Sequence, residues 1–455
     1  MSQIADYSRI LKEFYETGGL HDAINREVPL LARFQQLTLD WTGKQAVFAV
    51  KVGRGTANVG FRDEGDVLPT ASTQEKVNLN VGAKLLYGSF ELSGPLLASA
   101  KNKAGSFVQA LEDEMDGAVD DVKNDAARTL YVGGGCVGFI QARAAIPAAT
   151  PIEFFGNVEE ITAGVVLGCN LIRLDTYEEM TYGASPAYGV AAINVTRTAG
   201  SMLVSFDQAI DFSDAGLNAG AAAGPPATSG PAMNAGIPVA LVLNNANGQK
   251  PNLVKEPVGI YGNMAAQNHF GIARNDTGLN TPVVTLPGKQ HLRSCIRTNP
   301  ITGVYSATPL AQSRMEAVLT ELQEEPFAGK KTDLLVMRPT TRQSYVALIS
   351  NSTSLRTDTS SAGAGDVGVG EISYNGIKMM TDRQCGRGLI LFMNTKTWKL
   401  AQLKAPDVED IDGNVLSRVD GYDKYGGHVS WYYNTICVTP NCNGALVGFD
   451  FPGLP

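Results

Sequence analysis

From Lys44 onward the chain alternates apolar and polar positions with a period of two. Ala46, Phe48 and Val50 interleave with Val47, Ala49 and Lys51, and a second run sets Val77, Leu79 and Val81 against Asn78, Asn80 and Gly82. That is the alternation of half-buried β-strands. Between the runs lies GRGTANVGFRDEGDVLPTASTQ, polar and glycine-rich, so the pattern predicts a long hairpin with a solvated tip. Two strands of about ten residues or more reach roughly 30 Å at ~3.3 Å per residue. A two-stranded hairpin standing alone is marginal in water, so this arm is expected to lie across another subunit.

The period then changes to that of a helix. Residues 106–132, SFVQALEDEMDGAVDDVKNDAARTLYV, place Val108, Leu111, Met115, Ala118 and Val122 at alternating spacings of three and four, one apolar stripe. Ser106 is a plausible cap, with Gln109 completing a capping-box pattern, and the glycines at 133, 134 and 135 end the run. At ~1.5 Å per residue the helix is about 40 Å long, which favours a spine over an ordinary surface helix. Glu112, Asp113, Asp116, Asp120 and Asp121 largely fill its other faces.

Upstream, Ile10, Leu11 and Phe14 sit at helical spacing within 4–17, and a second short helix is expected over 21–31. Together these form an arm with little core of its own, expected on a neighbouring surface. Residues 151–299 read as an irregular β-rich lobe with strands at 164–169, 189–195 and 201–206. Thr308-Pro309 opens a helix to about Gln323, with Pro309 at its first position. A strand at 333–337, a helix at 341–349 and a strand at 372–380 follow, then strands at 389–393 and 398–403. Finally, residues 428–439 alternate clearly, with Val429, Trp431, Tyr433 and Thr435 on one face.

Composition narrows the function classes. A hydrophobic content of 44% with 18% charged residues describes a folded chain, and a net charge of -8 argues against a dedicated nucleic-acid binder. Residues 215–249 carry no charge, but Pro225, Pro226, Pro231 and Pro238 break them well short of the ~20 apolar residues a spanning helix needs. The N-terminus lacks the apolar segment of a signal peptide. The six cysteines form no zinc spacing, so free thiols in a reducing compartment are expected and the chain reads as soluble and made inside the cell.

Candidate chemistry adds little. His21, His269, His291 and His428 share no spacing for a metal or acid–base cluster. The Gly-rich stretches at 53–55 and 363–370 lack the order of a phosphate loop, and the acids from Glu112 to Asp125 lack the loop of a calcium site. No catalytic, cofactor or metal residue is expected, and the chain is not read as an enzyme.

The succession of arm, long hairpin, acidic spine helix, β region and second helix resembles the major capsid proteins of tailed bacteriophages. TDLLVMRPTTRQSYVALI, YNGIKMMTDRQCGRGLILFMNTKTWKLAQL and the closing VSWYYNTICVTPNCNGALVGF strengthen the likeness, which covers most of the chain outside 151–299. The resemblance implies an α+β Hong Kong 97-like capsid fold. Residues 1–43 would be the N-arm, 44–93 the E-loop, 94–150 the P domain with the spine helix, and 151–299 a β-rich inserted lobe. Residues 300–330 would carry the second P-domain helix, 331–420 the A domain, and 421–455 the P-domain return strand and C-terminus.

By the same resemblance the subunits would assemble into hexamers and pentamers, closing an icosahedral head around double-stranded DNA. Assembly would take place in the host bacterial cytoplasm and the product would be the virion capsid. Expected partners are other copies of the chain, a portal, a separate scaffolding protein, a candidate decoration protein and packaged DNA held non-specifically, with no membrane. The scaffold is expected to be separate because a hairpin starting near Lys44 leaves no room for a scaffolding segment. Intersubunit contacts are expected from Arg9, Lys12, Arg26 and Arg33 in the arm and from Arg54, Arg62, Asp63 and Glu64 in the hairpin. Val108, Leu111, Met115, Ala118 and Val122 would pack the spine helix. Lys51, Lys76 and Lys84 lie where some family members cross-link, but no Asn partner is assignable and they read as solubilising charges. An encapsulin-like shell, of the same fold but enclosing an enzyme cargo, is the alternative.

Overall fold

The computed structural model describes residues 29–37, 41–43, 45–51, 61, 63–68, 76–93, 104–131, 136–141, 151–155, 170–173, 179–180, 190–196, 201–206, 238–242, 256–265, 268–270, 272–273, 294–298, 310–324, 331–351, 373–385, 389–408, 417–418 and 421–447. The helices expected at 4–17 and 21–31 lie outside the described residues, apart from the end of the second. There Leu31–Arg33 is a single 3-10 turn. Leu30, Leu31 and Phe34 are buried in the chain's own main core, and the Phe34 ring stacks on Trp398 at 5.6 Å. The root of the arm therefore belongs to the body rather than to a neighbouring surface.

Five strands come next: β1 (Gln35–Leu37), β2 (Trp41–Thr42), β3 (Gln45–Lys51), β4 (Lys76–Gly82) and β5 (Lys84–Ser93). The 28-residue helix α1 (Ala104–Tyr131) follows, about 42 Å long at ~1.5 Å per residue. It starts two residues ahead of Ser106, which therefore sits in the first turn and is not the cap.

The lobe is one antiparallel sheet of β6 (Cys136–Gln141), β7 (Pro151–Phe155), β8 (Asn170–Arg173), β9 (Glu179–Met180), β10 (Val190–Thr196), β11 (Ser201–Phe206) and β12 (Pro238–Val242). Its strand order is β10-β11-β7-β6-β12-β8-β9. It begins at Cys136, ahead of the boundary expected at 151. Its first and last strands are neighbours, with Cys136 opposite Val242. The strands expected at 189–195 and 201–206 are present; the one at 164–169 lies outside the described residues.

The chain continues through α2 (Gly259–Ala265), β13 (Asn268–His269), β14 (Ile272–Ala273), β15 (Cys295–Thr298), α3 (Gln312–Glu324), β16 (Leu334–Met337) and α4 (Pro339–Asn351). It closes with β17 (Ser373–Tyr374), β18 (Ile377–Thr381), β19 (Leu389–Met393), β20 (Trp398–Val408), β21 (Ser417–Arg418), β22 (Lys424–Cys437) and β23 (Gly444–Val447). Helix α3 starts later than the sequence suggested: the carbonyl of Ala311 accepts from the Arg314 amide at 3.0 Å, so Pro309 is not its first residue. The single strand expected at 372–380 is a tight hairpin. Asn375 and Gly376 adopt φ of 48° and 78°, the left-handed pair that a two-residue hairpin turn demands.

Two sheets make the body. In the first, β22 runs antiparallel to both β20 and β5, with β1 and β21 completing it. Val429, Trp431 and Tyr433 face inward as the alternation predicts, and α1 lies over them. The helix comes so close that a Cβ at Gly88 would meet Val122 Cγ2 at 2.6 Å. The second sheet has the order β15-β23-β19-β16-β18-β17. Leu334 to Met337 and Leu389 to Met393 are buried throughout, because one face meets the main core and the other meets Met315, Val318, Leu319 and Leu322 of α3. Unbroken apolar runs of this kind are what a sheet covered on both faces requires. Asn443 ties the two sheets: its Oδ1 accepts from the Asn394 amide at 2.8 Å and from Trp398 Nε1 at 2.9 Å.

Candidate intersubunit surface

The hairpin begins as the sequence predicts. β3 and β4 pair from Gln45 opposite Gly82 to Lys51 opposite Lys76, and β2 adds a third strand beside β3. The described strands are seven residues each rather than ten. One face of the base packs on its own body. Val50, Leu79 and Val81 pack on Ala401 and Ile436 of the same chain, while Val47 on the other face is exposed. As a result Ile436 is covered on the side of β22 that the alternation left polar.

The tip is built differently. Asp63 to Asp66 form a turn in which the Asp66 amide donates to the Asp63 carbonyl at 3.1 Å and the Asp63 amide to Asp66 Oδ2 at 3.4 Å. Gly65 supplies the φ of 92° the turn needs. Flanking it, Phe61 is fully exposed, Val67 is 86% exposed and Leu68 80%. Three large apolar side chains thus flank the acidic turn in water. A docked partner would recover about 1.5–3 kcal/mol for each side chain it buries completely.

A second apolar area lies on the outer face of β5 and β22. Leu85 and Tyr87 are half exposed. The Tyr87 and Tyr432 hydroxyls are 3.0 Å apart with their rings edge to face. Lys404 Nζ lies 5.6 Å from the centre of the Tyr432 ring and donates to Ser430 Oγ at 2.7 Å.

Of the residues expected at interfaces, Asp63 and Glu64 are exposed on the tip turn, and Arg33 is exposed at the end of the arm. Arg9, Lys12, Arg26, Arg54 and Arg62 lie outside the described residues. On α1, Ala118 and Val122 are buried as expected, joined by Val119, Ala126, Ala127, Leu130 and Tyr131. The side chains of Val108, Leu111 and Met115 lie outside the described part of that helix. Sequence reasoning missed Phe61, Val67 and Leu68. Their signal was present in GFRDEGDVL, an acid–Gly turn bracketed by apolar residues.

The spine helix is also tied electrostatically. Arg128 contacts Asp125 at 2.6 Å and Glu256 at 3.1 Å, joining α1 to the segment that enters α2. Burial by itself would lower the Arg128 pKa, but the charges of Glu256 and Asp125 outweigh it and hold the guanidinium firmly ionised. Tyr131 donates to Asp382 at 2.6 Å; burial first, and that carboxylate second, push its pKa well up.

Among the described residues no group of three or more His, Cys, Asp or Glu side chains could hold a metal ion. No helix there is long and apolar enough to cross a membrane. Cys295, Cys385, Cys437 and Cys442 are buried thiols. Burial above all raises the Cys385 thiol, leaving it unreactive.

No family model matches the chain, and no curated protein does. Among solved structures it is similar to the capsid asymmetric unit of cyanophage A-1(L), at 11% identity and TM-score 0.42, covering 93% of each chain. It is also similar to the capsid of the native GTA particle, at 10% identity and TM-score 0.44, covering 93% of this chain and 90% of that one. Against the SrpI encapsulin of Synechococcus elongatus the identity is 13% and the TM-score 0.24, covering 34% of this chain and 53% of that one.

Proposed function

We propose that the chain is a structural major capsid protein. Its copies assemble into hexamers and pentamers that close an icosahedral head around the double-stranded DNA of a tailed phage. The observation that carries this is the hairpin: a base fixed to its own body and an acidic tip turn flanked by solvent-exposed Phe61, Val67 and Leu68. Such a tip is complete only against another molecule, and in a closed homo-oligomer that molecule is a second copy. The sequence resemblance to tailed-phage capsid proteins supports the same reading. On it, residues 44–93 act as the E-loop and α1 as the spine of the P domain. A separate scaffold, a portal and a decoration protein remain its proposed partners, with DNA held without sequence preference.

The test is expression of the chain alone and with its scaffold, followed by electron microscopy. Closed shells are expected, and removal of residues 54–73 should leave a folded subunit that does not close them. A monodisperse subunit that never assembles under either condition would refute the reading. Shells filled with protein cargo instead of DNA in the native particle would make the chain an encapsulin-like container.

A further inference from the structure

Phe270 has a φ of 49°. A bulky aromatic in the left-handed region is a conformational outlier, held there only when its surroundings over-determine it. It follows His269 in the turn that joins β13 to β14, where His269 pairs with Ile272. Three contacts fix that turn. His269 is buried, and its Nε2 lies 3.0 Å from the carbonyl of Cys437 on β22. The carbonyl of Phe270 accepts from the Asn80 amide of β4 at 3.2 Å. The Phe270 side chain packs against the cluster of Val50, Leu79, Val81, Ala401 and Ile436.

The place matters as much as the contacts. β5 stops pairing with β22 at Lys84, opposite Tyr433. Beyond that point Asn263 takes over the strand's edge: its Nδ2 donates to the Thr435 carbonyl at 3.0 Å and its Oδ1 accepts from the Cys437 amide at 3.3 Å. Between Gly82, the last residue of β4, and Lys84, the first of β5, there is only Ala83. Ala83 is therefore the whole covalent link between those strands, and beside it Asn434 Nδ2 of β22 donates to the Gly82 carbonyl at 2.8 Å.

We propose that the His269–Phe270 turn is a clamp that sets the angle of the long hairpin to the body, with Ala83 as the pivot. The strain at Phe270 is the cost of bringing its carbonyl and its ring to the hairpin together. Opening the clamp leaves β3 and β4 held by the packing of Val50, Leu79 and Val81 on Ala401 and Ile436 and by the Asn434–Gly82 hydrogen bond, and widens the range of angles the hairpin samples. This is a property of the single subunit and does not depend on the capsid reading.

The experiment uses the full-length unassembled subunit with Val67→Cys and Ser417→Cys carrying spin labels, read by pulsed dipolar spectroscopy. The parent should give one narrow distance distribution. Phe270→Gly suits the turn's φ but removes the ring, and His269→Ala removes the tether to β22. Both should broaden the distribution while the cooperative melt of the body is retained. Exchange of the Asn80 amide should accelerate about tenfold, the worth of one such hydrogen bond. An unchanged distribution, or a Phe270→Gly subunit with a tighter hairpin, would overturn the proposal. Broadening that appears only together with loss of the body's melt would reduce the turn to ordinary packing and overturn it equally.

Discussion

Trp398 and Trp431 in the body, and Phe61 at the hairpin tip, are the same class of side chain with opposite surroundings. The two tryptophans are wholly buried, and Phe61 is wholly exposed. The body closes its aromatics between α1, β22 and the second sheet, so it contains the information for its own folding. The tip has its own Asp63–Asp66 turn, yet no described residue covers Phe61, Val67 or Leu68. Order without burial marks a surface shaped for a partner, whereas burial marks a structure complete in itself.

That contrast is broken most severely from the body side. Trp431→Ala should cost about 3–5 kcal/mol in a urea titration, since it removes a fully buried ring at the centre of the main core. A cost below ~1 kcal/mol would mean the body does not hold itself together as described. Arg128→Met comes next, at about 3 kcal/mol, because it leaves the largely buried Glu256 without its charge partner. Adding Glu256→Gln to that variant should return part of the loss in a double-mutant cycle.

Alkaline pH sharpens the same point. Burial raises Tyr131 and Tyr433 above the ordinary tyrosine value of about 10. Their neutral forms are favoured in the folded state, so this contribution is complete below the unfolded value and is lost as pH rises through the folded ones. Melting temperature should fall steeply above pH ~10, and substitutions in the tip should leave that profile unchanged. Gly88→Ala should cost a further 1–3 kcal/mol, about the penalty of overpacking, because its Cβ collides with Val122. The smallest effect on stability belongs to the tip. Val67→Asp with Leu68→Asp should leave the melt within about 0.5 kcal/mol of the parent while abolishing shells seen by electron microscopy. A destabilised subunit would place the tip in its own chain's core.

The legible parts of this fold are those where one face meets water. The β3–β4 alternation, the α1 stripe through Ala118 and Val122, and the inward set Val429, Trp431 and Tyr433 follow from period alone. Legibility fails where a second layer arrives from far along the chain. The hairpin base covers Ile436 and Ala401, and no local pattern announces a contact between residues that distant. The turn at Asn375-Gly376 was readable from its residue pair but was absorbed into a strand because apolar residues flank it on both sides. The tip failed for the opposite reason. Phe61, Val67 and Leu68 follow neither the strand nor the helix period, so only the acid–Gly turn between them marks the place.

The first and last strands of the seven-stranded lobe adjoin, with Cys136 opposite Val242 and Gln141 opposite Pro238. Among the described residues, neither body sheet borrows a strand from the lobe. Such a join makes the lobe a tradable part. One in-frame exchange between those two residues replaces it whole without altering the order of strands elsewhere. The chain thereby becomes a chassis on which a foreign domain can be mounted.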